Sequence, residues 1–214
     1  MADLLDESIH REVDRYLLGL LPARDPVLSR MEKLAIERGF PFIGPLVGHL
    51  LELFTRAVGA RRVLELGSGF GYSAMHFARA LPEDGLVICT DGDSGNALTA
   101  EEFFREAGML SKLEFHVGDA LTEMDKTSGL FDVMLMDVDK ESYPESFQRA
   151  WPRLRVGGLF IADNLLWHGR VLTDDNQPST RGVREFTRLI HQTPGAHTSI
   201  FPLRDGVSVT IKTC

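Results

Sequence analysis

From Arg62 onward, five short runs, RVLEL, GLVICT, KLEFHV, FDVMLMD and GGLFIAD, alternate with the helical stretches YSAMHFARAL, ALTAEEFFREAG and ESFQRAWPRL. A strand that is apolar at nearly every position has no solvent face, so it belongs in a parallel sheet covered by helices on both sides. The alternation predicts a doubly wound α/β sheet. Two further runs, HTSIFPL and GVSVTIK, are joined by Arg204-Asp205-Gly206. That connection is too short for a crossover and suits an antiparallel hairpin, so the sheet is expected to be mixed at one edge.

The residues ahead of this pattern read as a helical cover, about 1–58. Ile9, Val13, Tyr16, Leu17 and Leu20 fall at helical spacing, and Pro26 after Asp25 opens a second helix carrying Leu28, Met31, Leu34 and Ala35. A third helix is expected from roughly Leu46 to Val58. No repeat or linker divides the chain, and 214 residues of ordinary globular composition suit one domain, 1–214. A net charge of −8 without a Lys/Arg-rich run offers no footprint for nucleic acid or anionic lipid. The longest apolar runs fall far short of the ~20 residues that span a bilayer. Cys89 and Cys214 make no disulfide framework or zinc spacing, and MADLLDESIH does not read as a signal peptide. The expectation is a cytoplasmic protein with small-molecule or protein partners.

In such sheets ligands bind beyond the carboxyl ends of the strands. The first strand runs into ELGSGFGYS, where Gly67, Gly69 and Gly71 allow a tight turn and close approach of backbone to a nucleotide-like ligand. A dinucleotide fingerprint would place its third glycine where Tyr72 stands. The second strand ends in Asp91, where a carboxylate can accept both hydroxyls of a ribose. Asp93 reads as solvated or capping. Asp119, after the third strand, is either a helix N-cap or a contact for an adenine amino group. The fourth and fifth strands end in Asp137 and in Asp163-Asn164, three oxygen donors that suit a hard divalent cation such as Mg²⁺.

Taken together, the blocks DPVLSRMEKLA, VLELGSGFGYSA, CTDGD, AEEFFREAG, HVGDA, FDVMLMDVDKESYPESF, GGLFIADNLLWHGRV and FPLRDGVSVTIK resemble the cation-dependent class I O-methyltransferases, the group of catechol and caffeoyl-CoA O-methyltransferases. DNLLWHG is similar to the family's DNxLWxG. The resemblance implies the seven-stranded, Rossmann-like sheet of class I S-adenosylmethionine-dependent methyltransferases, with its last strand antiparallel. It also implies S-adenosyl-L-methionine as cofactor, Mg²⁺ or another divalent cation such as Ca²⁺ or Mn²⁺, a catechol-like or caffeoyl-CoA-like aromatic hydroxyl acceptor, and a homodimer.

Carried onto this chain, the resemblance sets the methionine end of the cofactor against Glu65, Gly67, Ser68 and Ser73, with backbone contact at Ile43. The ribose falls on Asp91 and the adenine beside Asp119 and Ala120. Asp137 would meet both the cofactor's amine and the metal, with Asp163 and Asn164 completing the protein ligands. Lys140 matches the family's catalytic lysine; by itself it would read as a solvated lysine at a helix start. Tyr143 and Trp167 match positions near the acceptor, although core packing suits Trp167 equally. His168 and Arg170 border the same region without a role. The chain departs from the family in holding Asp91 where Glu is common, Val138 for the Ala of DADK and Ser142 for an Asn. These departures remove no metal ligand but bear on acceptor choice. A dinucleotide-dependent oxidoreductase and a non-catalytic binding protein on the same sheet are the competing readings.

Overall fold

The computed structural model describes residues 7–23 and 25–214. Three helices come first, α1 (Glu7–Leu20), α2 (Pro26–Arg38) and α3 (Gly44–Ala57). Then follow β1 (Arg62–Leu66), α4 (Tyr72–Ala80), β2 (Leu86–Asp91), α5 (Ser94–Glu106), β3 (Leu113–Val117), α6 (Ala120–Lys126) and β4 (Phe131–Met136). The chain closes with α7 (Tyr143–Ala150), β5 (Leu154–Ala162), α8 (Pro178–Gln192), β6 (Ala196–Phe201) and β7 (Val207–Lys212). No helix among the described residues is long and apolar enough to cross a membrane.

The seven strands form one sheet in the order β3-β2-β1-β4-β5-β7-β6. β1 to β5 pair in parallel, and β7 runs antiparallel to both β5 and β6. This is the doubly wound seven-stranded sheet expected above, mixed at the edge where the hairpin lies. Pleating sends alternate residues to opposite faces. Val63, Val133 and Ile161 join Met31, Leu51 and Phe77 in one core, while Leu64, Met134 and Phe160 join Phe147 and Phe186 in the other. Each fully buried side chain of this size contributes roughly 1.5–3 kcal/mol.

Asp25 caps α2 as its sequence suggests, its carboxylate accepting the Val27 N–H at 2.7 Å ahead of Pro26. α1 departs from expectation. Its helix is present, but Val13, Tyr16 and Leu20 are exposed, so it does not serve as an apolar cover within the chain. The reason is geometric: α2 and α3 already occupy the sheet face that α1 would have buried itself against. The side chain of Ile9 lies outside the described residues.

One close approach couples packing to the site. α8 crosses the 3₁₀ turn Lys140–Ser142 at Gly182, where a β-carbon would overlap the backbone carbonyl of Lys140 and lie 2.7 Å from Glu141 Cα. Both obstacles are backbone, so the helix would have to retreat. Gly182→Ala should cost about 1–3 kcal/mol by overpacking. At roughly 2–4 °C per kcal/mol for a chain of this size, calorimetry should read a Tm lower by several degrees. An unchanged Tm would show that α8 moves freely against the turn.

Candidate active site

The parallel ladders continue one residue past the strands. Asp137 N donates to Leu66 O at 2.9 Å, and Asp163 N to Met136 O at 3.4 Å. The chain ends of β1, β4 and β5 are thereby drawn side by side, and Asp137 and Asp163 emerge as neighbours. Gly67 makes this possible. Its φ is +83°, and a β-carbon there would overlap the carbonyl of Asp137. Above these ends lies a cleft of about 920 Å³, lined by the loop Phe40–Ile43 and by residues 137–142 and 145–146 among others.

The glycine-rich turn is tied to β2. Gly67 N and Ser68 N both donate to Thr90 O, at 3.1 and 2.9 Å, and Gly69 N donates to Asp91 Oδ2 at 2.9 Å. The other oxygen of Asp91 accepts from Asp93 N and from the Asn96 amide. Asp91 is thus oriented at the rim of the cleft by three donors. Asp93 caps α5, and Asp119 caps α6 through Thr122 while still lining the cleft. For Asp119, capping and ligand contact are therefore compatible.

Glu65 lies below the cleft floor, 1% exposed, accepting a hydrogen bond from Ser73 Oγ. Burial pushes its carboxyl up to about 8, reinforced by the negative charge of Asp137. Asp163 is 7% exposed and is likewise raised, to about 7, first by burial and then by Asp137. Asp137 and Asp163, two carboxyls on adjacent strand ends, form a donor set whose negative charge a cation would relieve, and Asn164 adds a carboxamide oxygen donor beside them. Among the described residues no three His, Cys, Asp or Glu side chains form such a cluster by themselves. The third protein donor here is an amide, and the residues present fit a hard divalent cation.

Lys140 is 9% exposed rather than solvated. Its ammonium donates to Asp137 Oδ1 at 2.7 Å, to Tyr143 Oη at 2.8 Å and to Val138 O at 3.3 Å. Tyr143 is fully buried and does not line the cleft; its hydroxyl donates to Asp163 O at 2.9 Å. Tyr143 thus lies behind the cleft wall at Lys140, its ring edge-on to Phe186. Burial raises this phenol well above its ordinary range, helped by Asp137, and keeps it a neutral hydroxyl between lysine and strand end. Trp167 does line the cleft, with Lys140 Nζ 5.8 Å from its ring centroid. Its indole Nε1 is buried without a partner.

Of the residues expected to hold a cofactor, Ile43, Gly67, Ser68, Ser73, Asp91, Asp119 and Asp137 line this one cleft. Glu65 supports it from beneath, and Ala120, the first residue of α6, is not in its wall. His168 lines the cleft, whereas Arg170 turns to Asp175 at 2.6 Å. Sequence reasoning missed Phe40, Phe42, Asn96 and Arg204. The aromatic pair in GFPF, just ahead of the loop FIGP, was a readable signal for the first two.

Residues 28–213 match the family described as O-methyltransferase. A catechol O-methyltransferase from Niastella koreensis is 32% identical over 92% of this chain and 90% of its own length. Caffeoyl-CoA O-methyltransferase 1 from Zea mays is 30% identical over 76% of this chain and 68% of its own. Among solved structures, the O-methyltransferase TomG from Streptomyces achromogenes, in complex with SAM, superposes with a TM-score of 0.86 at 30% identity. That match covers 95% of this chain and 96% of TomG. The chain belongs to the O-methyltransferase family and is an S-adenosylmethionine-dependent enzyme of that class. That membership sets the oxidoreductase reading aside.

The buried carboxyl of Glu65 has a testable signature in the cofactor-free protein. Its folded value lies above the ordinary 4.5, so the folded chain keeps this proton where the unfolded chain releases it. The resulting stabilisation is complete below about 4.5 and is lost as pH rises towards 8, at up to about 1.4 kcal/mol per pH unit. Thermal melts between pH 5 and 8.5 should show wild type losing ground to Glu65→Gln as pH increases. A constant difference across that range would mean that Glu65 is ionised when folded.

Proposed function

We propose that the protein is a divalent-cation-dependent O-methyltransferase acting on a catechol-like, vicinal-hydroxyl aromatic small molecule. The observation that carries this reading is the juxtaposition of Asp137, Asp163 and Asn164 with the buried Lys140 in one cleft. Asp137, Asp163 and Asn164 would hold the cation, and Asp91, Asp119, Ser68, Ser73 and the Ile43 backbone would hold the cofactor. When bound, the cofactor supplies a sulfonium methyl open to in-line displacement, and the cation supplies positive charge that acidifies a hydroxyl.

The chain's own part is positioning and proton handling. Asp137, shared by both binding regions, sets their separation, and the wall at Phe40–Ile43 and Trp167 excludes water from the acceptor. Lys140, after its ammonium has released one proton to solvent, would take the acceptor's proton on the neutral amine and return to the ammonium. Its amine is aimed by Asp137 and by Tyr143, and Tyr143 is itself fixed by the Asp163 carbonyl. The exposed Val13, Tyr16 and Leu20 of α1 support the homodimer that the resemblance implies, and the acidic net charge accords with small-molecule rather than nucleic-acid partners. A cytoplasmic location belongs to the same reading.

With S-adenosylmethionine, Mg²⁺ and catechol, mass spectrometry should detect the methylated product, and a chelator should abolish its formation. Asp163→Ala and Asn164→Ala should do the same while calorimetric cofactor affinity holds. Lys140→Met should lower kcat by roughly 10²–10⁴-fold with cofactor affinity little changed. Full turnover after verified metal removal would sink the cation assignment, and near-wild-type turnover in Lys140→Met would remove the lysine.

A further inference from the structure

Among the basic residues of the cleft wall, Arg204 is one that neither the cofactor nor the metal reading uses. Arg204, in the turn between β6 and β7, lines the cleft beside the loop Phe40–Ile43. Its backbone lies in the left-handed region at φ +50°, a conformation that costs a non-glycine residue about 1–2 kcal/mol. Such strain persists only where surroundings over-determine it. Here they do. Leu165 N and Leu166 N donate to Gly206 O and Asp205 O, at 2.9 and 2.8 Å, pinning the turn to the loop that follows β5.

The side chain, although exposed, is anchored to the loop. Nη1 donates to Phe42 O at 2.5 Å, and the guanidinium lies 5.8 Å from the Phe42 ring centroid. It rests against Gly44, where a β-carbon would come within 2.6 Å of Nη1. A side chain at that position would make the guanidinium shift, while the backbone of Gly44 itself is in the left-handed region at φ +72°.

The other basic side chains in the cleft wall each have a carboxylate within 4 Å. Lys140 meets Asp137 at 2.7 Å, Arg149 meets Asp125 at 2.5 Å and Glu145 at 3.5 Å, and His168 Nδ1 lies 3.7 Å from Asp205. Among the described residues Arg204 has no carboxylate within 4 Å, although its charge acts at longer range on the buried Asp163 carboxyl and favours the ionised form there. Asp205 beside it is turned away, its Oδ1 accepting the His168 N–H at 2.6 Å. A guanidinium carries five N–H donors in a fork that matches a carboxylate, and one hydrogen bond to Phe42 leaves most of them open to the cleft.

We propose that Arg204 is a carboxylate subsite of the cleft, its guanidinium aligned by Phe42 and Gly44 to take a ligand carboxylate by charge-assisted hydrogen bonds. Two ligands of the cleft can supply that group: the cofactor, through the carboxylate of its methionine part, or an acceptor bearing an acid side group. The acceptor source rests on the proposed function above; the cofactor source requires only cofactor binding.

The test uses binding alone, so it stands apart from whether any acceptor is methylated. Calorimetry on wild type and Arg204→Gly, with Mg²⁺ present, compares two pairs of probes. The first is S-adenosylmethionine against 5′-methylthioadenosine, which lacks the amino acid carboxylate. The second is 3,4-dihydroxybenzoate against catechol. Glycine suits the left-handed backbone, so the turn should keep its shape.

Loss of a charge-assisted pair should weaken the carboxylate-bearing member of one pair by about 10- to 100-fold and leave its partner unchanged. The pair that responds identifies the source. Arg204→Lys should recover part of the loss, since it keeps the charge without the fork. Arg204→Asn, which also tolerates this backbone region, carries the same comparison if the glycine variant does not fold. Equal weakening within both pairs, or no weakening in either, overturns the subsite. Should the two catechols fail to bind wild type, the proposed function fails there, and the cofactor pair alone decides Arg204.

Discussion

The extension of the parallel ladders beyond β1, β4 and β5 is the constraint on which the site depends. Leu66 O and Met136 O accept from Asp137 N and Asp163 N after the strands have formally ended, so the two carboxylates leave the sheet side by side. Gly67 permits the approach, because any side chain there would collide with the Asp137 carbonyl. Everything that brings chemistry into the cleft, from the raised Asp163 carboxyl to the salt-bridged lysine, follows from that adjacency. Like charges at such separation are tolerated only where a cation, a proton or a hydrogen-bond donor compensates them. Here Lys140 pairs with Asp137, while burial and Asp137 raise the Asp163 carboxyl.

Around this pair the backbone carries unusual strain. Asn164, Trp167, His168 and Arg204 are the non-glycine residues with positive φ among the described residues, and all four line the cleft. Three follow β5 and the fourth lies in the hairpin turn that hydrogen-bonds to the same loop. The antiparallel edge of the sheet therefore has a role beyond completing the core. It braces the loop that presents Asn164 and Trp167, and the stability of the two cores sustains the local cost.

Much of the architecture was legible because it rests on local pattern. Apolar runs between helical stretches specify buried parallel strands, and the ends of such strands face the ligand crevice, so Asp91, Asp119, Asp137 and Asp163 could be picked out by position. Asp25 and Asp93 were readable as caps for the same reason, since capping involves residues two or three apart. The burial of Tyr143 behind the cleft wall was not legible, because its orientation depends on Phe186, 43 residues further on, and no periodicity in YPESFQRA says which way the first ring turns. α1 was misjudged as a cover, because helical spacing reveals an apolar stripe but not whether the surface opposite is already taken.

The sequence by itself determined the sheet, its mixed edge and the oxygen-rich character of the strand ends, because burial and hydrogen-bond satisfaction leave a patterned chain few alternatives. Only the tertiary structure decided that Lys140 is a buried member of a Lys140–Tyr143–Asp163 chain of hydrogen bonds. It alone brought the Arg204 guanidinium to Phe42 and Gly44 across some 160 residues of sequence. Contacts of that range are set by how separate elements pack around a shared core, and no local spacing rule encodes the direction in which a side chain emerges from that packing.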